Sequence, residues 1–186
     1  MIIKGDRINL RKLRKSDAES VQKHAKDKEI SRYTTLPYPY KLKHAQDFIN
    51  LTHKKMRKKE SYELGIELKE TKNIIGMMGL IHVDYKNKNA EVGYWLGKKY
   101  WKQGLTTESL KLMLKFGFRE LKLERIYAKV MHPNTMSAKL LEKNDCKQPP
   151  VIAPFSRLDW WHLVGVKPHL NSLVSDIISE PVLVVS

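Results

Sequence analysis

The stretch "EVGYWLGKKYWKQGLTTESL", residues 91–110, changes its pattern halfway along. The first half alternates between two faces, which predicts a strand over 90–97. A basic turn with one glycine, Gly104, follows, and the apolar spacing then predicts a helix over about 106–121. A turn that leads into a helix N-terminus presents unpaired N–H groups and the positive end of the helix dipole. The stretch therefore predicts an anion site.

Three lysines, Lys98, Lys99 and Lys102, add positive charge to this turn, and Gly104 would let the backbone approach a ligand closely. A diphosphate would fit such a turn, although a solvated turn with no ligand has the same composition. Neither G-x-x-x-x-G-K-[ST] nor a G-x-G-x-x-G after a strand occurs in the chain. ATP and NAD are therefore disfavoured as ligands.

The segments on either side of this stretch predict one α+β, or mixed α/β, domain. Alternating or continuous apolar runs predict strands at 8–13, 61–70, 73–84 and 125–130. Helical spacing predicts helices that begin near Ser16 or Asp17, near His44 and after "HPNT" at 132–135. The middle strands follow one another through tight turns, so they form an antiparallel meander. The later strand–helix–strand order implies a crossover to a parallel strand.

The chain has 186 residues, a single cysteine and a formal net charge of +15. With one cysteine, no leader-like segment and no long apolar run, we expect a reducing, cytoplasmic setting without membrane insertion. The positive charge implies an anionic partner such as nucleic acid, acidic lipid or a phosphate-rich small molecule. Residues 1–148 carry 33 Lys and Arg against 17 Asp and Glu, so the surplus lies before Pro149.

Several motifs in a fixed order resemble one known family. The segment "NAEVGYWLGKKYWKQGLTTESLKLMLKFGFRELKLERIYAKVMHPNTMSAKLLEKN" resembles the core of the GNAT superfamily of acetyl-CoA-dependent N-acetyltransferases, in its RimJ/RimL-like branch. With "INLRKLRKSDAES", "TLPYPYKLKHAQDFI" and "NIIGMMGL" upstream, the resemblance covers about residues 7–147. It implies the GNAT acyl-CoA N-acyltransferase fold, in which a mostly antiparallel central sheet, flanked by helices, splays at the CoA site.

The resemblance also implies where acetyl-CoA would bind. The pantetheine arm would lie between the strands at 90–97 and 125–130, and the loop 101–107 would wrap the pyrophosphate. This loop reads "WKQGLT" where the family usually has Q/R-x-x-G-x-G/A, and its bulkier last residue, Thr106, is predicted to cap the helix. The expected acetyl-CoA contacts are Trp95, Leu96, Gly97, Lys102, Gln103, Gly104, Leu105, Thr106, Thr107, Asn134, Ser137 and Lys139.

For catalysis, the resemblance implies that Glu91 acts as the general base through a water molecule and that Ser137 protonates the leaving thiolate. Asn134 and Ser137 match the family's N-x-x-S, where the asparagine contacts the CoA arm. On the residues alone, Glu91 could be an exposed strand carboxylate and Asn134 an ordinary helix cap. The seven histidines lack metal-ligand spacing, and a small buried hydrophobe is the expected role of Cys146, so no metal is expected.

The expected acceptor is the α-amine of a protein N-terminus, such as that of a ribosomal protein. At pH 7 roughly 10–20% of an α-amine is neutral, against about 0.04% of a lysine amine. Ribosome association is a further expectation, and "KKMRKK" at 54–59 is either a solvated helix end or a contact for RNA or the CoA 3′-phosphate. A small-molecule amine acetyltransferase and a non-catalytic RNA- or ribosome-binding module are the alternatives. A monomer and a homodimer are both compatible with the sequence.

The resemblance stops near Asp145 and Cys146, which stand where the family has Gly-Phe. We interpret 1–186 as a single acetyltransferase domain with a family-like core, 7–147, and an atypical segment, 148–186. A divergent tail and a change of reading frame would both produce such a segment. Its apolar content predicts that it packs on the far edge of the sheet and supplies at least one strand.

Overall fold

The computed structural model describes residues 1–130 and 134–144, which form a six-stranded sheet with helices on both faces. The strands are β1 (Ile2–Lys4), β2 (Ile8–Arg11), β3 (Tyr62–Leu68), β4 (Ile74–Asp84), β5 (Asn89–Leu96) and β6 (Arg125–Tyr127). The helices are α1 (Ala18–Ala25), α2 (Lys28–Arg32), α3 (Leu42–Arg57), α4 (Leu105–Arg119) and α5 (Thr135–Glu142). The strand predicted within 148–186 lies outside the described residues.

The strands lie side by side in the order in which they occur along the chain. Strands β1 to β5 pair antiparallel, so the predicted meander of β3, β4 and β5 is confirmed. Strand β6 pairs parallel to β5, and helix α4 makes the connection that a parallel pair requires.

Alternating side chains of the sheet enter two separate cores. On β5, Val92 and Leu96 join the core beneath α4 and α5, whereas Trp95 joins the core beneath α1 and α3. Residues 74–80 of strand β4 are all buried, as the apolar run predicted, because they contribute to both cores, whereas residues 81–84 are partly or fully exposed. No helix in the described part of the chain is long and apolar enough to span a membrane.

Three elements differ from the sequence prediction. Strand β1 and helix α2 were not predicted, since three and five residues are too few to display a period. Strand β6 ends at Tyr127, whereas the apolar pattern predicted a strand to residue 130. Ala128 and Val130 are buried, so the alternating apolar pattern continues beyond the strand. The hydrogen bonds between β6 and β5, however, end at Tyr127.

A buried arginine fastens the N-terminal part of the sheet. The Arg11 guanidinium donates to Asp17 at 2.7 and 2.9 Å and also to Glu67, and so links β2 to β3 and to the turn before α1. Burial is the largest single influence and raises the pKa of each carboxyl group, but the hydrogen bond and charge of Arg11, together with hydrogen bonds from the Arg14 N–H and from Asn9, lower both pKa values below their usual range. Both carboxylates therefore stay ionised and paired at neutral pH.

A second buried group, His24 on α1, packs beneath the turn between β5 and α4. A Cβ on Gly97 would lie 2.8 Å from Nδ1 of His24, and the ring of Tyr100 meets the imidazole edge-on at 5.4 Å between centroids. Burial, with a smaller contribution from the positive charges of Lys99 and Lys23, lowers the pKa of His24 to about 4. The imidazole is therefore neutral at pH 7, and Gly97 leaves the room that its ring needs.

We expect the free energy of unfolding to fall as the pH drops from about 6.5 to about 4, because the unfolded chain protonates His24 more readily than the folded one. The whole pKa difference corresponds to about 3 kcal/mol. His24→Gln should flatten this part of the profile, measured by urea denaturation across the range. Losses at Asp17 and Glu67 belong to lower pH, where those carboxylates protonate. An unchanged slope in His24→Gln would contradict the assignment.

Candidate active site

Strands β5 and β6 pair over only three residues. The partners are Asn89 with Arg125, Ala90 with Ile126, and Glu91 with Tyr127. Strand β5 continues to Leu96, and no described strand pairs with this part of its outer edge. Backbone groups on an open edge can bind an extended ligand, so the divergence creates a place for one.

A cavity of about 440 Å³ lies at this divergence. Strands β3, β4 and β5, the segment after α2, helix α3, the chain after β6 and the start of α5 all contribute to its walls. Its volume is within the range of small-molecule pockets. Three residues that the sequence singled out, Glu91, Asn134 and Ser137, line it together.

Glu91 is mostly buried, with 12% of its side chain exposed, so it is not a solvated strand carboxylate. Its Oε2 atom lies 2.9 Å from Nζ of Lys129 and 3.4 Å from Nδ1 of His82. The hydrogen bond to Glu91 raises the pKa of Lys129 despite partial burial. The carboxylate is thus held by a cation while it faces the cavity.

Asn134 and Ser137 lie at the start of α5, and both are buried. Oδ1 of Asn134 accepts a hydrogen bond from the Ser137 N–H at 3.1 Å, so Asn134 is a helix cap. The Ser137 hydroxyl lies 2.5 Å from the Tyr94 hydroxyl, a short hydrogen bond between β5 and α5. The serine side chain is therefore oriented by a phenol that also lines the cavity.

The two parts of this site lie on opposite faces of β5. Glu91 has the same facing as Trp95, and Tyr94 faces the other way, as strand alternation requires. Because β6 has left the edge of β5 here, the cavity reaches both faces. A ligand in the gap can contact a carboxylate on one side and a hydroxyl pair on the other.

The loop that follows β5 leads into α4 with an unusual backbone. Lys102 and Gly104 have φ values of 62° and 73°, and helix α4 begins directly after Gly104. The first N–H groups of α4 have no partner in the helix, and the hydroxyl oxygens of Thr106 and Thr107 are buried without hydrogen-bond partners among the described residues. These groups fit an anion such as a pyrophosphate. Gly104 occupies the N-cap position, so the prediction that Thr106 caps α4 is wrong.

Arg7, in the turn between β1 and β2, holds this loop in place. Its guanidinium donates to the carbonyl oxygen of Gln103 at 2.7 Å and to Oε2 of Glu108 at 3.2 Å. The other oxygen of Glu108 accepts the N–H groups of Arg7 and Ile8 at 2.9 and 3.3 Å. The start of α4 is thereby joined to the far edge of the sheet, and Arg7 adds a cation to the loop.

The remaining residues that were predicted to contact acetyl-CoA differ in their exposure to solvent. Leu96, Leu105 and Thr106 are buried, so only their backbones or hydroxyl groups could reach a ligand. Trp95 lines the cavity, but Lys139 is exposed on α5 and does not. The cavity residues that sequence reasoning missed include Tyr94, Lys129, His82 and Glu63. No cluster of three or more possible metal ligands occurs within residues 1–130 and 134–144.

Comparison with known proteins gives a consistent result. Residues 7–147 match the model of the acetyltransferase (GNAT) domain. An uncharacterized N-acetyltransferase of Bacillus licheniformis, p20, is 33% identical over 136 residues, which are 73% of this chain and 76% of that protein. Another, YoaA of Bacillus subtilis (strain 168), is 31% identical over 142 residues, which are 76% of this chain and 80% of that protein.

Among solved structures, the chain is similar to a complex of the ribosomal L7/L12 alpha-N-protein acetyltransferase RimL with coenzyme A. The TM-score is 0.75 at 17% identity, and the match covers 88% of this chain and 95% of that chain. At this identity the likeness concerns the fold, and it confirms the predicted sheet with flanking helices.

Gly104→Val should weaken CoA binding by tenfold or more, about 1.4 kcal/mol. A β-branched residue is strained at the φ of 73° that Gly104 adopts, so the N–H groups after it would move. Isothermal titration calorimetry with CoA measures the effect. Gly104→Asn is the matched control, since asparagine tolerates this conformation, and it should lose less affinity. Equal affinity in the valine variant and the parent would remove the loop from the CoA site.

Proposed function

The chain belongs to the GNAT family of acetyltransferases, and we propose that it transfers the acetyl group of acetyl-CoA to the α-amine of a protein N-terminus, such as that of a ribosomal protein. The observation that carries the proposal is the cavity at the open edge of β5. One continuous space contacts a held carboxylate, Glu91, and a paired hydroxyl, Ser137. Acetyl transfer needs a proton acceptor and a proton donor at the same reacting carbon.

Two features of the chain support binding of acetyl-CoA at this site. The loop 101–107 and the start of α4 supply N–H groups, two unpartnered hydroxyl oxygens and nearby cations for the pyrophosphate. The open edge of β5 supplies backbone groups for the pantetheine arm and an N–H that polarises the thioester carbonyl. The pyrophosphate and pantetheine assignments are both based on backbone geometry as well as on the identity of the side chains.

On the acceptor side, the amine attacks the thioester carbon and must lose a proton. Glu91 accepts that proton through a water molecule and is held in place by Lys129 at 2.9 Å. The Lys129 ammonium also disfavours a second positive charge beside it. The acceptor amine is therefore favoured in its neutral, nucleophilic form.

On the donor side, the thiolate of CoA leaves and needs a proton. Ser137 supplies one, and the Tyr94 hydroxyl at 2.5 Å can replace it through the shared hydrogen bond. Because Asn134 fixes the first turn of α5, the serine hydroxyl is held at the cavity wall. The proton acceptor and the proton donor thus lie on opposite faces of β5.

The acceptor class follows from amine chemistry. An α-amine is roughly two to three orders of magnitude richer in its neutral form at pH 7 than a lysine amine, so it is the easier nucleophile. The net charge of +15 would favour encounter with ribosomal RNA, which surrounds ribosomal proteins. A small-molecule amine is the second candidate, because the cavity contains two carboxylates, Glu63 and Glu91, in an otherwise basic protein.

Glu91→Gln should lower turnover about 100-fold or more, the usual loss for a general base, with little change in acetyl-CoA affinity. Turnover is measured by release of free CoA with an N-terminal peptide as acceptor, and affinity by calorimetry. Glu124→Gln is the control, since Glu124 is an exposed carboxylate paired with Lys88. A Glu91→Gln enzyme as fast as the parent at every pH would exclude Glu91 as the base.

Ser137→Ala should reduce turnover about tenfold or more while the thermal midpoint stays close to that of the parent. The variant keeps the backbone N–H that donates a hydrogen bond to Asn134, so the start of α5 is preserved. Only the hydroxyl group beside Tyr94 is lost. Rapid quench of the first turnover, with the thermal midpoint measured alongside, separates loss of chemistry from loss of fold. Full activity in this variant would show that another group protonates the thiolate.

A further inference from the structure

Glu63, on β3, is a second carboxylate in the cavity, and the mechanism above does not use it. The Ser61 hydroxyl donates to its Oε1 at 3.2 Å, and Glu63 forms no ion pair within the described residues. Burial raises the pKa of Glu63, and the charges of Lys55 on α3 and His82 on β4 offset this only in part. Glu63 therefore differs from Glu91, whose carboxylate already has a bonded cation.

A row of glycines separates Glu63 from the reacting edge of β5. Glu63 pairs with Gly79 on β4, and Gly79 pairs with Gly93 on β5, so the three lie side by side on one face. A Cβ at Gly79 would lie 2.9 Å from Cγ of Glu63, which means that the glutamate leans over this glycine. A Cβ at Gly93 would meet Ile81, at 4.0 Å, and no other residue in the described part of the chain. Gly79 and Gly93 therefore form a strip of bare backbone, here called the glycine floor, between Glu63 and the gap between β5 and β6.

The opposite wall of this passage is partly apolar. Leu36, after α2, and Phe48, on α3, both line the cavity and pack against the core beneath α1 and α3. A methylene or peptide chain could lie between them and the glycine floor. From the spacing of strands and residues, the Cα atoms of Glu63 and Glu91 are roughly 12 Å apart.

We propose that Glu63 binds a second cationic group of the acceptor, so that the cleft selects a primary amine that carries an ammonium or guanidinium group on the order of 10 Å from the reacting nitrogen. The selection rests on the proposed amine acetylation. A desolvated carboxylate without a directly bonded cation is costly, and a ligand cation would satisfy it. Glu63 lies too far from the gap to take the proton of the reacting amine, which requires contact or one intervening water.

Two kinds of acceptor share this chemistry. In a protein N-terminus, a lysine or arginine at the second or third position would carry the second charge, because an extended chain advances about 3.4 Å per residue. In a polyamine, a second nitrogen at a similar distance would do so. Both would lay an uncharged linker over the glycine floor and place the free amine at Glu91.

The test compares matched acceptors with the full-length enzyme. Two short peptides differ only in lysine or norleucine at the second position, and diaminooctane is compared with octylamine. Each is assayed for kcat and KM with the parent, Glu63→Gln and the control Glu124→Gln. We expect the parent to prefer the dicationic member of at least one pair by about tenfold in kcat/KM, and the favoured pair identifies the source of the amine.

Glu63→Gln should reduce this preference to about twofold or less through KM, with the monocationic rates and the thermal midpoint unchanged, and Glu124→Gln should keep the preference. A parent without any preference would overturn the proposal. So would a Glu63→Gln enzyme that retains the preference or loses kcat equally for both members of a pair, since Glu63 would then act in the chemistry. If CoA binds but no acceptor is acetylated, the proposed function fails as well.

Discussion

The early end of the pairing between β5 and β6 is the constraint on which the site depends. If the parallel ladder continued past Glu91 and Tyr127, the outer edge of β5 would be closed and the cavity would not exist. Because the ladder stops there, one strand presents a carboxylate on one face and a tyrosine on the other to the same space. The rest of the fold keeps this open edge in place, since both faces of β5 pack on a hydrophobic core.

Charge is distributed so that two ligands of opposite sign can meet. The loop before α4 has lysines and leads into the unpaired N–H groups of the helix start, and Arg7 contacts this loop from the turn between β1 and β2, so the region suits an anionic donor. The cavity beside β5 contains Glu63 and Glu91 in a protein whose net charge is +15. The net positive charge repels a cationic acceptor, whereas these two carboxylates attract it, which favours a bound orientation with its amine inward.

The sequence predicted what local pattern and ordered motifs determine. The meander, helix α4 and the placement of Glu91, Asn134 and Ser137 near one another all follow from the segment between 90 and 142. It did not predict Glu63 as a cavity residue, because that position depends on the register of β3 on β4 and of β4 on β5. It also did not predict that Gly104 is the N-cap of α4 in place of Thr106, because the positive φ of Gly104 is a property of the folded turn.

The open space above Gly93 has a consequence for how this enzyme can diverge. Among the described residues, a methyl group there would meet one side-chain carbon, at van der Waals distance, so this part of the fold would tolerate it at little cost. The same methyl group would stand in the passage that we propose for the acceptor. The range of acceptors can therefore be narrowed by a single small substitution in a sheet that is otherwise unchanged, which separates selectivity from stability within one strand.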